Sequence, residues 1–391
     1  MRNFEFQNPV KLLFGKGVID KISNEIMPNT HVLLTYGGGS IKRNGVYEQV
    51  MKALKDCKVT EFGGIEPNPD YSTLMKAINI CKKENIDFVL SVGGGSVCDG
   101  SKFIVAGALY DGDPWDFTKD SSKIKKALPL GVVMTLPATS SEMNSGGVIS
   151  RRELGEKWAF SSPYTFPRFS VLDPHTLKTL PKKQISNGLV DIFVHVMEQY
   201  LTTTDHYMVT DRFSEGILLS LIELAPKLTN DEDVSYEVLA NYMLIGTIGL
   251  NGWVSMGALQ DWATHMMGHE LTALTGLDHG ETLAIIYPGT MNIMRDAKHD
   301  KLLQYGERVW GITKGSEEQR IDKAIAKTEE YFTKIGKKVT LSEYNLGEEV
   351  ADLIADRFKK RGYNIGENGI IDSETIRAIL KSRLGTPKSD Y

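Results

Sequence analysis

The segment IDFVLSVGGGSVCDGSKFIVAGALY, residues 86–110, decides the fold class. An apolar run ends on Gly93–Gly94–Gly95–Ser96, and a second apolar stretch at helical spacing begins at once. The same succession stands earlier in the chain, where HVLLTY (31–36) meets Gly37–Gly38–Gly39–Ser40 and then IKRNGVYEQVMKALKDC (41–57). A third strand signal, GVVMTLP (131–137), runs into ATSSEMNSGG (138–147). Short strands alternating with helices need crossover connections, so the strands pair in parallel and helices cover both faces of the sheet. A doubly wound sheet explains the doubled unit better than a repeat array does.

Beyond VLDPHTLKTLP (171–181) the rhythm changes to long helical patterns: KQISNGLVDIFVHVMEQYLT (183–202), TDRFSEGILLSLIELAPKL (210–228), EVLANYMLIGTIGLNG (237–252) and HMMGHELTALTGLDH (265–279). No strand is expected from residue 183 onward. The sequence therefore predicts an α/β domain over 1–177 and an all-helical domain over 178–391. Two domains suit a chain of 391 residues.

The composition is that of a globular protein, 41% hydrophobic and 24% charged, with a formal net charge of −5. That charge offers no basic footprint for nucleic acid or an anionic membrane. The N-terminal MRNFEFQNPVKLLFG (1–15) lacks the unbroken apolar core of a secretory signal, and no apolar run is long enough to span a bilayer. Three widely spaced cysteines, Cys57, Cys81 and Cys98, exclude a disulfide framework and a cysteine metal cluster. A cytoplasmic location is the expectation.

Glycine turns between strand and helix let the backbone approach a ligand closely, and the helix N-terminus behind them suits a phosphate. Neither turn is a Rossmann GxGxxG or a Walker loop. In YGGGSIKR (36–43) there is no acid to take a ribose 2′-hydroxyl, whereas Ser40, Lys42 and Arg43 suit a 2′-phosphate. This points to NADP(H).

GLVDIFVHVMEQY (188–200) places Asp191 and His195 at i and i+4 within an apolar helix, where a lone carboxylate is costly unless paired or ligated. DWATHMMGHE (261–270) places Asp261, His265 and His269 on a second stripe, and a turn at Gly276 leads to His279. Carboxylate and imidazole ligands of this kind suit Fe²⁺ or Zn²⁺. Spacing leaves open whether His265 or His269 is a ligand. Glu270 follows His269, but Ala273 stands where HExxH requires its second histidine, so the metalloprotease reading fails.

At these residues the chain resembles the iron-containing (group III) alcohol dehydrogenases, in the branch of butanol dehydrogenases and broad-range NADPH-dependent aldehyde reductases. The resemblance runs from NPVKLLFGKG (8–17) through both glycine turns, TLPATSSEMNSG (135–146) and SNGLVDIFVHVMEQY (186–200) to QDWATHMMGHELTALTGLDHG (260–280). It implies an α/β dinucleotide domain and a helical domain with a metal in the cleft between them, Fe²⁺ before Zn²⁺. It implies Asp191, His195, His265 and His279 as ligands, with His269 beside nicotinamide and substrate. On the cofactor side it implies Gly37, Gly38, Ser40 and Lys42 at the 2′-phosphate, and Gly94, Gly95, Ser96 and Asp99 at the pyrophosphate. Thr135, Thr139, Asn144 and Lys157 would meet ribose and nicotinamide. Members of the family are commonly homodimers, the N-terminal strand crossing to the partner.

The expected reaction is hydride transfer between nicotinamide and a short or medium primary alcohol or aldehyde, with the metal as Lewis acid. His269 would relay the alcohol proton or shape the pocket. Three rivals are a glycerol-dehydrogenase-like or dehydroquinate-synthase-like enzyme of the same plan, a metal-dependent hydrolase, and a non-catalytic dinucleotide binder.

Overall fold

A computed structural model describes residues 1–202, 207–230 and 233–385. The chain forms two compact units. The first comprises Gln7–Pro181 together with Glu232–Asn251. Its elements are β1 (Lys11–Phe14), β2 (His31–Tyr36), α1 (Val46–Ala53), β3 (Lys58–Phe62), α2 (Tyr71–Glu84), β4 (Phe88–Gly94), α3 (Gly95–Gly107), β5 (Leu130–Leu136), β6 (Gly146–Arg151), β7 (Glu156–Ser161) and β8 (Phe169–Leu172). Six strands form one sheet in the order β1-β8-β5-β4-β2-β3, and every pairing in it is parallel. Val32, Leu33, Leu34, Val89, Leu90, Val132, Val133 and Met134 are shut from solvent. Central strands buried on both faces read as unbroken apolar runs, which is why β2, β4 and β5 were visible as such. The edge strand β3, by contrast, carries Lys58 and Glu61 outward.

The second unit comprises Met1–Phe6, Lys182–Asp231 and Gly252–Tyr391. It holds α4 (Lys182–Tyr200) and α5 (Met208–Asn230). The helix α6 (Tyr236–Ile248) belongs to the first unit, and the second resumes with α7 (Ala263–Thr275), α8 (His279–Ile293), α9 (His299–Trp310), α10 (Glu317–Lys334), α11 (Glu348–Arg361) and α12 (Ser373–Lys381). Its core joins Ala263, Met267 and Leu271 of α7 to Ile285 and Ile286 of α8, Ile354 and Phe358 of α11, and Ile376 and Ile379 of α12. Among its described residues there is no strand, only an isolated bridge between Ile365 and Ile371.

The chain does not divide by one cut at 177/178. The main division falls at Pro181/Lys182, and α6, expected in the helical domain, packs on the sheet domain instead. The reason is a set of polar clasps on the loop after β5. Ser140 Oγ donates to the Gly246 carbonyl at 2.6 Å and accepts from Leu250 N at 2.8 Å. Asn144 Nδ2 donates to the Leu250 carbonyl at 3.2 Å, and Thr247 Oγ1 donates to Glu142 Oε1 at 2.6 Å. Glu142 is wholly buried, and that hydroxyl is the donor its Oε1 receives. The antiparallel pair β6–β7 and the strands β1, β3 and β8 complete what sequence periodicity did not mark.

Thr247→Val keeps the shape and removes the donor to Glu142. It should lower unfolding stability by about 1–3 kcal/mol, read from the urea midpoint. An unchanged midpoint would show that the clasp is dispensable.

Candidate functional site

The β2–β4 register pairs Tyr36 with Val92, so the two glycine turns leave neighbouring strand ends side by side. From there the chain runs outward in opposite directions, β2 leading to β3 on one flank and β4 to β5 on the other. This is a topological switch point at the carboxyl edge of a parallel sheet, where open α/β sheets bind ligands.

The two turns differ. After the second, α3 starts directly at Gly95 with no side-chain cap, leaving its first N–H groups to the turn. A Cβ at Gly95 would lie 2.5 Å from Thr139 Oγ1, so only glycine lets the segment of Thr139 lie against this turn. After the first turn the expected immediate helix is missing: Ser40–Lys42 form a single 3₁₀ turn and α1 begins at Val46. Gly39 takes a left-handed φ of 83°. Gly38 has an unstrained φ and open space at its Cβ position, and it and Ser40 are exposed. Lys42 donates to Glu61 Oε2 at 2.8 Å, and Arg43 donates to the Gly39 carbonyl at 3.3 Å.

Two of the expected cofactor residues turn inward. Asp99 is buried, with Oδ1 accepting from Ser141 Oγ at 2.6 Å and Oδ2 from Val148 N at 2.9 Å. Burial pushes its carboxyl up, opposed by the Lys102 charge and the Ser141 bond. Asn144 donates to the Thr139 and Leu250 carbonyls and accepts from Gly146 N and from the buried Lys102 at 2.9 Å. Both side chains shape the loop at 139–148. Thr135 lies on β5, Ser96 in the first turn of α3, and Lys157 buried on β7 opposite Ser150.

In the helical unit, Asp191 and His195 come from α4, His265 and His269 from α7, and His279 opens α8. Asp191, His195 and His265 are buried, and their ligand atoms lie within 4.8 Å of one another. Asp191 Oδ1 is 3.5 Å from His195 Nδ1, 3.7 Å from His265 Nε2 and 3.6 Å from His279 Nε2. Those separations are too long for hydrogen bonds. Ligand atoms held at ~2.1 Å around a tetrahedral ion stand roughly 3.4 Å apart, close to the separations seen. Asp191 Oδ1 and His265 Nε2 are buried without a hydrogen-bond partner, and the donor set suits a divalent ion. The residues fit a metal. His269 is not in this group; its ring lies 5.3 Å from that of His279.

Glu198 is the residue that sequence reasoning missed. It is one further turn along α4, 2% exposed, and hydrogen-bonded through Oε2 to His265 Nδ1. Its Oε1 accepts from Thr264 N at 2.6 Å. A carboxylate on the far nitrogen fixes the ring and directs Nε2 toward Asp191. Asp261, expected on the α7 stripe, precedes that helix and pairs with buried Lys298 at 2.8 Å. Glu270 is held by Arg357 at 2.9 Å and Arg361 at 2.7 Å.

A dinucleotide-type sheet and a buried carboxylate–imidazole centre on one chain are the parts of a metal-dependent dehydrogenase. Sequence comparison makes the class specific. The profile "Iron-containing alcohol dehydrogenase" matches residues 9–174, and "Fe-containing alcohol dehydrogenase family, C-terminal" matches 185–384. The chain belongs to the iron-containing alcohol dehydrogenase family. It is 49% identical to the NADPH-dependent aldehyde reductase YqhD of Escherichia coli, covering 98% of this chain and 100% of that protein. It is 42% identical to a probable NADH-dependent butanol dehydrogenase 1 of Bacillus subtilis, again over 98% and 100%. The crystal structure of Escherichia coli YqhD superposes with a TM-score of 0.95 at 48% identity, covering 98% of this chain and 99% of that one. No described helix is long and apolar enough to cross a membrane.

Burial pushes the His265 imidazole down, but the Glu198 and Asp191 carboxylates outweigh it and lift it to about 9. A raised folded-state value means stabilisation that is full below the ordinary ~6.5 and lost as pH climbs to the folded value. The metal-free protein should therefore lose stability between about pH 6.5 and 9, and Glu198→Gln should flatten that loss. Thermal melts across this range on both proteins check it; a wild type with a pH-independent melt would contradict it.

Proposed function

We propose that the chain is an NADP(H)-linked, metal-dependent alcohol dehydrogenase that reduces short and medium straight-chain aldehydes such as butanal. The observation that carries it is the buried convergence of Asp191, His195 and His265, with Asp191 Oδ1 and His265 Nε2 left without a hydrogen-bond partner. Family membership adds the dinucleotide half of the reaction.

Asp191, His195, His265 and His279 would hold the ion, Fe²⁺ before Zn²⁺, and Glu198 would keep His265 in its ligating tautomer. When bound, the ion supplies Lewis acidity to the carbonyl oxygen and the dinucleotide supplies the hydride. Gly94, Gly95 and Ser96 would present backbone N–H groups at the start of α3 to the pyrophosphate. Gly38, Ser40 and Lys42 would take the 2′-phosphate, and Thr135, Thr139 and Lys157 would meet ribose and nicotinamide, on a loop whose shape Asp99 and Asn144 set. His269, outside the ligand group, would pass the alcohol proton toward solvent.

A homodimer and a cytoplasmic location belong to the same reading. The free Cys57, Cys81 and Cys98 are consistent with a reducing compartment, burial pushing the Cys81 and Cys98 thiols up to about 12.

The direct test is butanal-dependent oxidation of NADPH by metal-reconstituted protein. Chelation should abolish it, and Fe²⁺ or Zn²⁺ should restore it. His265→Ala and His279→Ala should each lose bound metal, while His269→Ala keeps the metal and turns over more slowly. Loss of the ion from His269→Ala with retention in His265→Ala would reverse the ligand assignment.

The cofactor side has its own test. Gly38→Asp is free of backbone strain and places a carboxylate in the 2′-phosphate turn. One charge-assisted bond lost is worth ~1.5–3 kcal/mol, so kcat/KM for NADPH should fall at least about tenfold while that for NADH holds or rises. A wild type that uses the two cofactors equally would remove the basis of this reading.

A further inference from the structure

The nucleotide turn has an acid beside it that its own sequence lacks. β3 runs parallel to β2 with Leu34 opposite Glu61 and Thr35 opposite Phe62. Beyond the strand ends the two segments stay joined, Gly64 N donating to the Gly37 carbonyl at 3.0 Å and Ile65 N to the Tyr36 carbonyl at 3.2 Å. Glu61 is thereby carried to the flank of Gly37–Lys42. Its Oε2 accepts from Lys42 Nζ at 2.8 Å and Tyr36 Oη at 2.9 Å, and its Oε1 from Tyr47 Oη at 2.6 Å. The Lys42 ammonium stands 4.9 Å from the centre of the Tyr36 ring and 4.6 Å from that of Tyr47. Lys42, the cation assigned above to a 2′-phosphate, is thus already engaged by a carboxylate.

We propose that Glu61 sets the choice between NADP and NAD by competing with the 2′-phosphate for Lys42 and offering its own carboxylate to the 2′-hydroxyl of NAD. The proposal rests on placing the adenosine 2′ position at the Gly37–Lys42 turn. Three features support the competition. The end of the strand following the first crossover helix is where dinucleotide folds carry the acid that reads a ribose hydroxyl, and Glu61 is near the end of that strand here. The pair is exchangeable: both side chains are about one-third or more exposed, at 42% and 33%, and a solvated ion pair contributes little by itself. The exchange also strands no buried group, because Glu61 keeps both tyrosine hydroxyls when Lys42 swings to a phosphate. The Lys42–Glu61 bond holds the ammonium well above its ordinary range and the carboxyl below its own, so both are charged at neutral pH.

Binding of adenosine 2′,5′-bisphosphate and adenosine 5′-monophosphate to the full chain isolates this contact, since the two ligands differ only in the 2′-phosphate and neither needs metal or turnover. In Glu61→Gln the bisphosphate should bind about threefold tighter or better, and the monophosphate equally or more weakly, as expected for releasing one solvated ion pair and one like charge. In a Lys42→Met background the gain from Glu61→Gln should shrink, because the competition acts through that lysine. A wild type that prefers the bisphosphate, with a preference Glu61→Gln leaves unchanged, overturns the role of Glu61 alone. Equal affinity for the two ligands in both proteins overturns the NADP(H) reading of the turn and the proposal with it.

Discussion

The helical unit is organised around a buried carboxylate. Asp191 is 5% exposed, set among Leu189, Val190, Ile192 and Phe193, all closed to solvent, and its Oδ1 has no hydrogen-bond donor. An ionised carboxylate in such a place is unfavourable by several kcal/mol unless a cation meets it. Glu198, two turns along the same helix, adds a second buried carboxylate to the cluster through His265. A protonated His265 offsets one of these two charges. A divalent ion on neutral imidazoles would offset both.

Holding α7 in reach of α4 requires an unusual chain entry. Asp261 N donates to the Glu198 carbonyl at 2.8 Å, and the Glu198 side chain accepts from the first N–H groups of α7. Between them Trp262 takes a left-handed φ of 65°, uncommon for so large a residue. Backbone strain of this kind persists only where the surroundings over-determine it. Here one glutamate grips both sides of the strained residue, and the reward is His265 returned to Asp191 one turn later. The same residue therefore starts the helix, orients the imidazole and shares its burial.

This arrangement separates what was legible in the sequence from what was not. The unbroken apolar strands, the glycine turns and the Asp191–His195 and His265–His269 spacings are local patterns, and the fold class follows from them. The loss of α6 to the sheet domain was not local: it depends on Ser140, Glu142 and Asn144 meeting residues more than a hundred positions away. Glu198 was hidden for a similar reason, since its partners Thr264 and His265 lie 66 and 67 residues on. Asp261 was drawn onto the α7 stripe by its spacing, which the left-handed Trp262 breaks. Asp99 and Asn144, expected at the cofactor, also hold the loop at 139–148 through contacts that local patterns do not reveal.

The carboxylate–imidazole cluster and the first glycine turn also differ in what a substitution would disturb. Asp191, His195 and His265 are buried on α4 and α7, with Glu198 bonded to His265, so a change there leaves a buried charge exposed to its full desolvation penalty. The first glycine turn is solvated: Gly38, Ser40, Lys42 and Arg43 are exposed, and the Lys42–Glu61 ion pair is a surface one. Surface changes of that kind typically move stability by less than ~0.5 kcal/mol. The contrast is in keeping with relatives at 49% and 42% identity whose names carry NADPH in one case and NADH in the other. On the proposal made above, the few atoms around Lys42 decide between the two cofactors.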